Sequence, residues 1–116
     1  MTEQKTNKDI FGKILGVLFF ISGLPKLLSV QGAVDNFNKW HLGDNLRYVV
    51  GVIELALGIL MFVPSLKRYA AFGYYNIMAA GFIVHVVAGE YALIAMPLIL
   101  GSVVFFYLYK EKIVQL

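Results

Sequence analysis

The hydrophobic positions of this chain fall into four long runs separated by shorter polar segments. The runs cover residues 10–30, 46–63, 69–88 and 91–109. Each has about the 17–25 residues that an α-helix needs to cross a bilayer, and none alternates apolar and polar residues as strands do. Because open strands cannot satisfy their backbone in lipid, the pattern predicts four membrane-spanning helices. Short connections favour antiparallel neighbours, so we expect an all-α, up-down-up-down membrane four-helix bundle.

The longest connection, residues 31–45, is not purely polar. Ala33, Phe37 and Trp40 recur at i, i+4 and i+7, a spacing typical of a short helix that lies in the headgroup layer. This segment is predicted to be an external loop. Trp40 then has two interpretations, an interfacial anchor or part of a binding surface.

Composition agrees with a membrane location and excludes some chemistry. Hydrophobic residues make up 59% of the chain, whereas a soluble domain has about 45–50% even with glycine counted. The length of 116 residues predicts one transmembrane domain, residues 1–116. Because there is no cysteine, disulfides, thiolate metal sites and redox chemistry through protein thiols are excluded. No metal-binding spacing of histidines occurs, so we expect no metal site.

The basic residues indicate membrane topology rather than a nucleic-acid surface. The net charge is +3, but the cations are spread over termini and loops, so no nucleic-acid partner is expected. In a four-span fold one side of the membrane receives Lys5, Lys8, Lys13, Lys67, Arg68, Lys110 and Lys112. Only Lys39 and Arg47 fall on the other side. The positive-inside rule therefore predicts that both termini are cytoplasmic.

Three ionisable residues fall inside the predicted spans: Lys26, Glu54 and His85. At ~1.5 Å per residue, they lie about 5–12 Å from the outer ends of their spans. Helical side chains lean toward their own N-terminus, so the two on outward-running helices lean inward and Glu54 leans outward. Charged groups in a membrane are costly and usually mark a site or a pair. We therefore expect the three to converge in the outer half.

All three ionisable residues are accompanied by glycines at helical spacing. These glycines are Gly12, Gly16 and Gly23 for Lys26, Gly51 and Gly58 for Glu54, and Gly81 for His85. Small residues let helices approach closely, which predicts that the ionisable side chains face the bundle interior. Alternatives remain for each: Lys26 reaching the headgroups, Glu54 in a purely structural ion pair with Lys26, and His85 bonded to a backbone carbonyl.

Four segments carry a resemblance to a known family. They read GVLFFISGLPKLL (16–28), FNKW (37–40), GVIELALGILMFVP (51–64) and KRYAAFGYYNIMAAGFIVH (67–85). In order and spacing they resemble the DoxX-like family of small four-helix membrane proteins over about the first three-quarters of the chain. The resemblance implies a left-handed four-helix bundle in the bacterial plasma membrane. The family takes its name from a subunit of thiosulfate:quinone oxidoreductase, and Lys26, Glu54, His85 and Trp40 match its pattern.

Two functional hypotheses follow, with no catalytic residue assigned. In the first, a ligand site formed by Lys26, Glu54, His85 and Trp40 binds a quinone or a similar apolar molecule, and the chain serves as a subunit of a membrane redox system. Glu54 and His85 would exchange protons while Lys26 stabilises negative charge. In the second, the polar cluster is structural and the protein assists assembly, with a partner subunit or a second copy recognised near Trp40. Ion transport ranks last because the inner half offers few polar groups.

Overall fold

The computed structural model describes residues 2–110, with side chains from residue 10 onward. Lys112 and the side chains of Lys5 and Lys8, which the topology prediction counts among the cytoplasmic cations, lie outside the described residues. Regular structure in the described part is entirely helical: α1 (Thr2–Leu27), α2 (Gln31–Lys39), α3 (Gly43–Leu60), α4 (Lys67–Val87), a 3-10 helix (Tyr91–Ile94) and α5 (Ala95–Lys110). The predicted all-α class is confirmed.

The described part contains five α-helices rather than four. The additional helix, α2, forms within the loop predicted between the first two spans, where the sequence predicts a short helix. Three segments are long and apolar enough to cross a membrane, namely Ile10–Leu27, Lys67–Val87 and Tyr91–Lys110. The helix α3 has 18 residues but carries three charges, Asp44, Arg47 and Glu54, so length and composition alone do not select it. The four-span bundle therefore stays a prediction.

The chain divides into two compact units, Met1–Lys67 and Arg68–Leu116. In the first unit α1 packs against α3, and two pairs of glycines lie at the contact. A β-carbon on Gly16 would fall 2.8 Å from the carbonyl oxygen of Gly58, and one on Gly23 would fall 2.7 Å from that of Gly51. Side chains larger than hydrogen do not fit there. The predicted role of these glycines, close approach of two helices, is confirmed for this pair.

The short helix α2 belongs to the same unit and turns its apolar side inward. Phe37 is 5% exposed and packs edge-on against Trp40, with ring centroids 5.2 Å apart. Just after the end of this helix, His41 adopts a left-handed backbone conformation with φ of 61°. There the amide of Leu42 donates to the carbonyl of Phe37, which satisfies the helix end as a Schellman motif does.

The second unit consists of α4, the 3-10 helix and α5. Gly89, at φ 75°, lies in the turn that follows α4. A β-carbon on Gly81 would lie 3.8 Å from Pro97, and one on Gly101 would lie 3.6 Å from Met78, both ordinary van der Waals distances. The contact between α4 and α5 is therefore looser than the glycine contact of the first unit. Between these two helices a groove of about 540 Å³ is lined mainly by apolar and aromatic side chains.

Candidate functional site

Lys26 and Glu54 form an ion pair in the first unit. The distance from Nζ of Lys26 to Oε1 of Glu54 is 2.7 Å. The glutamate is 1% exposed, whereas 22% of the lysine side chain remains accessible. A carboxylate buried this deeply is costly unless it is paired, and the lysine supplies the pairing charge. The pair therefore has one sealed member and one member that an incoming molecule can reach.

The glycine contact explains why these two residues meet. Gly23 of α1 lies against Gly51 of α3, and each is followed three residues later by the charged residue, Lys26 or Glu54. The helices of this contact run in opposite directions, and helical side chains lean toward their own N-terminus. The lysine and the glutamate consequently lean toward each other from opposite sides of the contact.

The ammonium group of Lys26 keeps one donor in reserve. Its Nζ donates to the carbonyl oxygen of Ser22 at 2.8 Å and forms the ion pair with Oε1 of Glu54 at 2.7 Å. An ammonium group has three N–H donors, and these two contacts within the described residues use two of them. Because the side chain is partly accessible, the third can serve an oxygen atom of a bound molecule.

Ser22 completes the surroundings of the buried carboxylate. Its hydroxyl lies 3.0 Å from Oε2 of Glu54 and 2.8 Å from the carbonyl oxygen of Phe19. Each carboxylate oxygen of Glu54 thus has its own neighbour, Lys26 on one side and Ser22 on the other. Only Oε2 accepts a hydrogen bond, from Ser22, whereas Oε1 is held by the charge of Lys26.

Arg47 is the site residue that the sequence does not reveal. The charge pattern places it among the cations outside the membrane, but it lies within α3 and is 2% exposed. Its guanidinium donates to the carbonyl oxygen of Lys26, to the Ser29 hydroxyl at 3.0 Å and to Asp44 at 3.0 Å, and it lies 4.3 Å above the ring of Tyr48. One feature of the sequence could have identified Arg47 as a site residue. It lies seven residues, about two helical turns, before Glu54 and therefore on the same face of the helix.

Ser29 links this arginine to the end of α1. It adopts a left-handed backbone with φ of 56°, a position that glycine usually fills. Its hydroxyl is shared by Arg47 and by the hydroxyl of Tyr48 at 3.0 Å. These two contacts explain why a serine occupies a position with a left-handed backbone. They connect the carboxyl end of α1 to α3.

His85 and Trp40 lie in other surroundings. His85 belongs to the second unit, where its Nδ1 lies 2.9 Å from Oε1 of Glu90, a partner that the sequence does not suggest. The amide of Glu90 also donates to the carbonyl of His85 across the turn at Gly89, so the pair is local. Trp40 lies at the end of α2 against Phe37. Their role as ligand residues stays a prediction.

Within the described residues, no three His, Asp or Glu side chains lie close enough to hold a metal ion. The chemistry that the first unit offers is of a different kind. A carboxylate screened from water, an accessible ammonium group and a buried guanidinium lie at one end of the α1 and α3 pair. Such a set can bind polar oxygens through its accessible ammonium group.

Three apolar helices in the described part of the chain that are long enough to cross a membrane indicate a small all-α membrane protein. The chain belongs to the DoxX-like family, whose model matches residues 10–107. The resemblance noted from the sequence is therefore confirmed, and the match extends beyond the segments that suggested it.

One similar protein is the "Putative oxidoreductase CatD" of Bacillus subtilis (strain 168). It is 37% identical over 55 residues, which are 47% of this chain and 41% of that protein. The chain thus spans less than half of the length of the curated relative it matches. No solved structure matches the chain.

Proposed function

We propose that this protein is a subunit of a membrane redox system and binds a quinone or quinol beside the Lys26–Glu54 pair. The observation that carries the proposal is the unequal solvent exposure of the two residues. Glu54 is 1% exposed as a whole residue, whereas 22% of the lysine side chain is exposed. The accessible ammonium can donate to a carbonyl oxygen of the head group, and the screened carboxylate holds that ammonium in place. The name of the Bacillus subtilis relative, an oxidoreductase, points the same way.

The proposal includes four membrane crossings, with α3 as the second. Two of its three charges, Arg47 and Glu54, are 1–2% exposed and have partners in the first unit. Asp44 stands in the first turn, where an external end of the helix would lie. Paired charges at such positions are compatible with a spanning helix. The bacterial plasma membrane, and termini on its cytoplasmic side by the positive-inside rule, belong to the same proposal.

Trp40 completes the proposed site in the first unit as its aromatic wall. His85 of the second unit stays a separately proposed ligand residue, and its pairing with Glu90 fixes the orientation of the imidazole. Trp40 lies beside the chain segment that leads from α2 into α3. A partner subunit would receive or supply the electrons.

The test is purification in mild detergent, followed by organic extraction and an absorbance spectrum of the extract. We expect about one quinone per chain, and a Glu54→Gln variant that elutes as folded protein but retains little quinone. Lys13→Gln, on the same helix as Lys26, serves as the control variant and should retain it. A folded wild-type protein that neither carries quinone nor takes it up from added ubiquinone or menaquinone would disprove the proposal.

A second function, an assembly protein with a structural ion pair, is favoured by one specific observation. The pair sits directly beside the tight Gly23–Gly51 contact, so it also holds α1 and α3 together. In this case Glu54→Gln lowers stability, and adding Lys26→Met restores most of it, with no ligand at any stage. The same purified variants therefore decide between the two functions.

A further inference from the structure

Among the described residues at one end of the α1 and α3 pair, the charges that are buried or partly buried do not balance. Lys26 and Arg47 contribute two positive charges there, and Glu54 contributes one negative charge. Arg47 and Glu54 are 2% and 1% exposed, whereas 22% of the Lys26 side chain is accessible. Water therefore compensates the additional positive charge only in part, and unbalanced charge away from water is costly.

Among the described residues, the other carboxylate in contact with this group offsets its positive charge only weakly. Asp44 lies 3.0 Å from Arg47, but 61% of its side chain is exposed. The field of an exposed carboxylate is reduced by water and by salt, whereas the field between buried groups is not. The interior side of the cluster consequently stays positive.

Arg47 is held at the backbone of Lys26. Its guanidinium donates to the backbone carbonyl of Lys26 at the carboxyl end of α1. The ammonium of Lys26 turns back to the carbonyl of Ser22 and is the accessible cation, with one N–H donor in reserve. A molecule that reaches this donor meets the ammonium, with the guanidinium fixed to the backbone of the same residue.

We infer that the site selects ligands whose head group carries a negative charge on oxygen, such as an ionised hydroxyquinone, over neutral quinones of the same size. The inference rests on the proposed function and narrows it to a ligand class. An anionic oxygen bound to Lys26 balances the buried charges of Lys26, Glu54 and Arg47. A neutral carbonyl accepts the same hydrogen bond but leaves the excess positive charge in place.

A matched pair of probes tests the inference on the full chain in detergent. At neutral pH, 2-hydroxy-1,4-naphthoquinone is an anion, whereas 2-methoxy-1,4-naphthoquinone is neutral and has nearly the same shape. We expect the anion to bind at least ten times more tightly at low salt, measured by isothermal titration calorimetry. The preference should disappear in acid that protonates the hydroxyl, with the methoxy compound at the same pH as the reference.

Two variants locate the selectivity at the cluster. Asp44→Asn removes the exposed negative charge beside Arg47. It should strengthen binding of the anion two- to fivefold and leave binding of the methoxy compound unchanged. Asp35→Asn is the matched control, since Asp35 is also exposed and acidic but lies on α2 and bonds Gln31. It should leave both affinities unchanged.

The outcomes separate the two claims. If both probes bind equally well, the selectivity is absent and the inference is overturned, while the proposed quinone site stands. If neither probe binds and no quinone is extracted, the proposed function fails as well. Equal strengthening by Asp44→Asn and Asp35→Asn would assign the preference to overall surface charge and would also overturn the inference.

Discussion

Gly16 and Gly58 each leave no room for a side chain on the other, because a β-carbon on either one would fall 2.7–2.8 Å from the other's carbonyl oxygen. The relationship is reciprocal because the two backbones touch without any side chain between them. Seven residues away on each helix, Gly23 and Gly51 form a similar but less symmetric contact, with corresponding distances of 2.7 and 3.2 Å. Two such contacts fix both the distance and the register of α1 against α3, and the register brings Lys26 to Glu54.

Alanine at Gly58 should therefore destabilise the first unit. Its β-carbon would lie 2.7 Å from the carbonyl oxygen of Gly16 and 2.8 Å from the amide nitrogen of Phe20, both backbone atoms that cannot swing aside. Overpacking of this kind costs about 1–3 kcal/mol. The loss is measured as a lower midpoint of thermal unfolding in detergent.

Gly32→Ala is the control for that experiment. Gly32 also lies in a helix, but nothing comes within 4 Å of an added β-carbon. Alanine should leave the midpoint unchanged or raise it, because alanine favours helix by about 1 kcal/mol over glycine. A Gly58→Ala midpoint as high as that of Gly32→Ala would show that α1 and α3 do not touch at these glycines.

The two members of the ion pair should be unequal in a double-mutant cycle. Lys26→Met leaves a carboxylate of 1% exposure without its cation, which costs about 3–5 kcal/mol. Glu54→Gln leaves a lysine that still reaches solvent, so we expect a smaller loss. The double variant should recover much of the stability. Additive losses, measured by denaturant unfolding, would argue against a direct pair.

Replacing Arg47 should be far more damaging than replacing its acidic partner. Arg47→Met removes the hydrogen bonds to the Lys26 carbonyl and the Ser29 hydroxyl, and bonds to charged groups contribute about 1.5–3 kcal/mol each. Asp44→Asn alters an exposed pair worth less than about 1 kcal/mol. Equal unfolding midpoints for the two variants would contradict a buried arginine.

Glycine at His41 should stabilise the protein. His41 is exposed and holds a left-handed backbone at φ 61°, which costs a residue with a β-carbon about 1–2 kcal/mol. Part of this is offset by the greater freedom of glycine when unfolded, so we expect a gain of about 0.5–1 kcal/mol. Gly43→Ala, at φ 77°, makes the opposite change and should lower the unfolding midpoint.

Periodicity and side-chain direction predict much of this molecule. The helical class, the short helix after the first span and the approach of α1 to α3 through glycines all follow from residue spacing. The expectation that Lys26 and Glu54 lean toward each other needs only the lean of helical side chains and opposite helix directions. These features depend on local geometry, which a sequence displays directly.

Other features depend on partners that spacing does not reveal. Arg47 resembles an ordinary charge near a helix end until the carbonyl of Lys26 and the Ser29 hydroxyl are seen to accept its hydrogen bonds. Glu90 is the partner of His85 only because the chain reverses at Gly89. The first helical residue of α3, Gly43, also precedes the apolar run that begins the predicted span at residue 46. The positions of Arg47 and of the His85–Glu90 pair depend on polar contacts outside the periodic runs. The helix α3 begins earlier than predicted because its first turn is polar.

The hydroxyl of Ser22 has two acceptors and one hydrogen. That hydrogen can point to Oε2 of Glu54 or to the carbonyl oxygen of Phe19, and rotation about the Cβ–Oγ bond exchanges one acceptor for the other. The serine hydroxyl therefore has an acceptor in either orientation. It can turn between a side chain of α3 and the backbone of its own helix without any heavy atom being displaced.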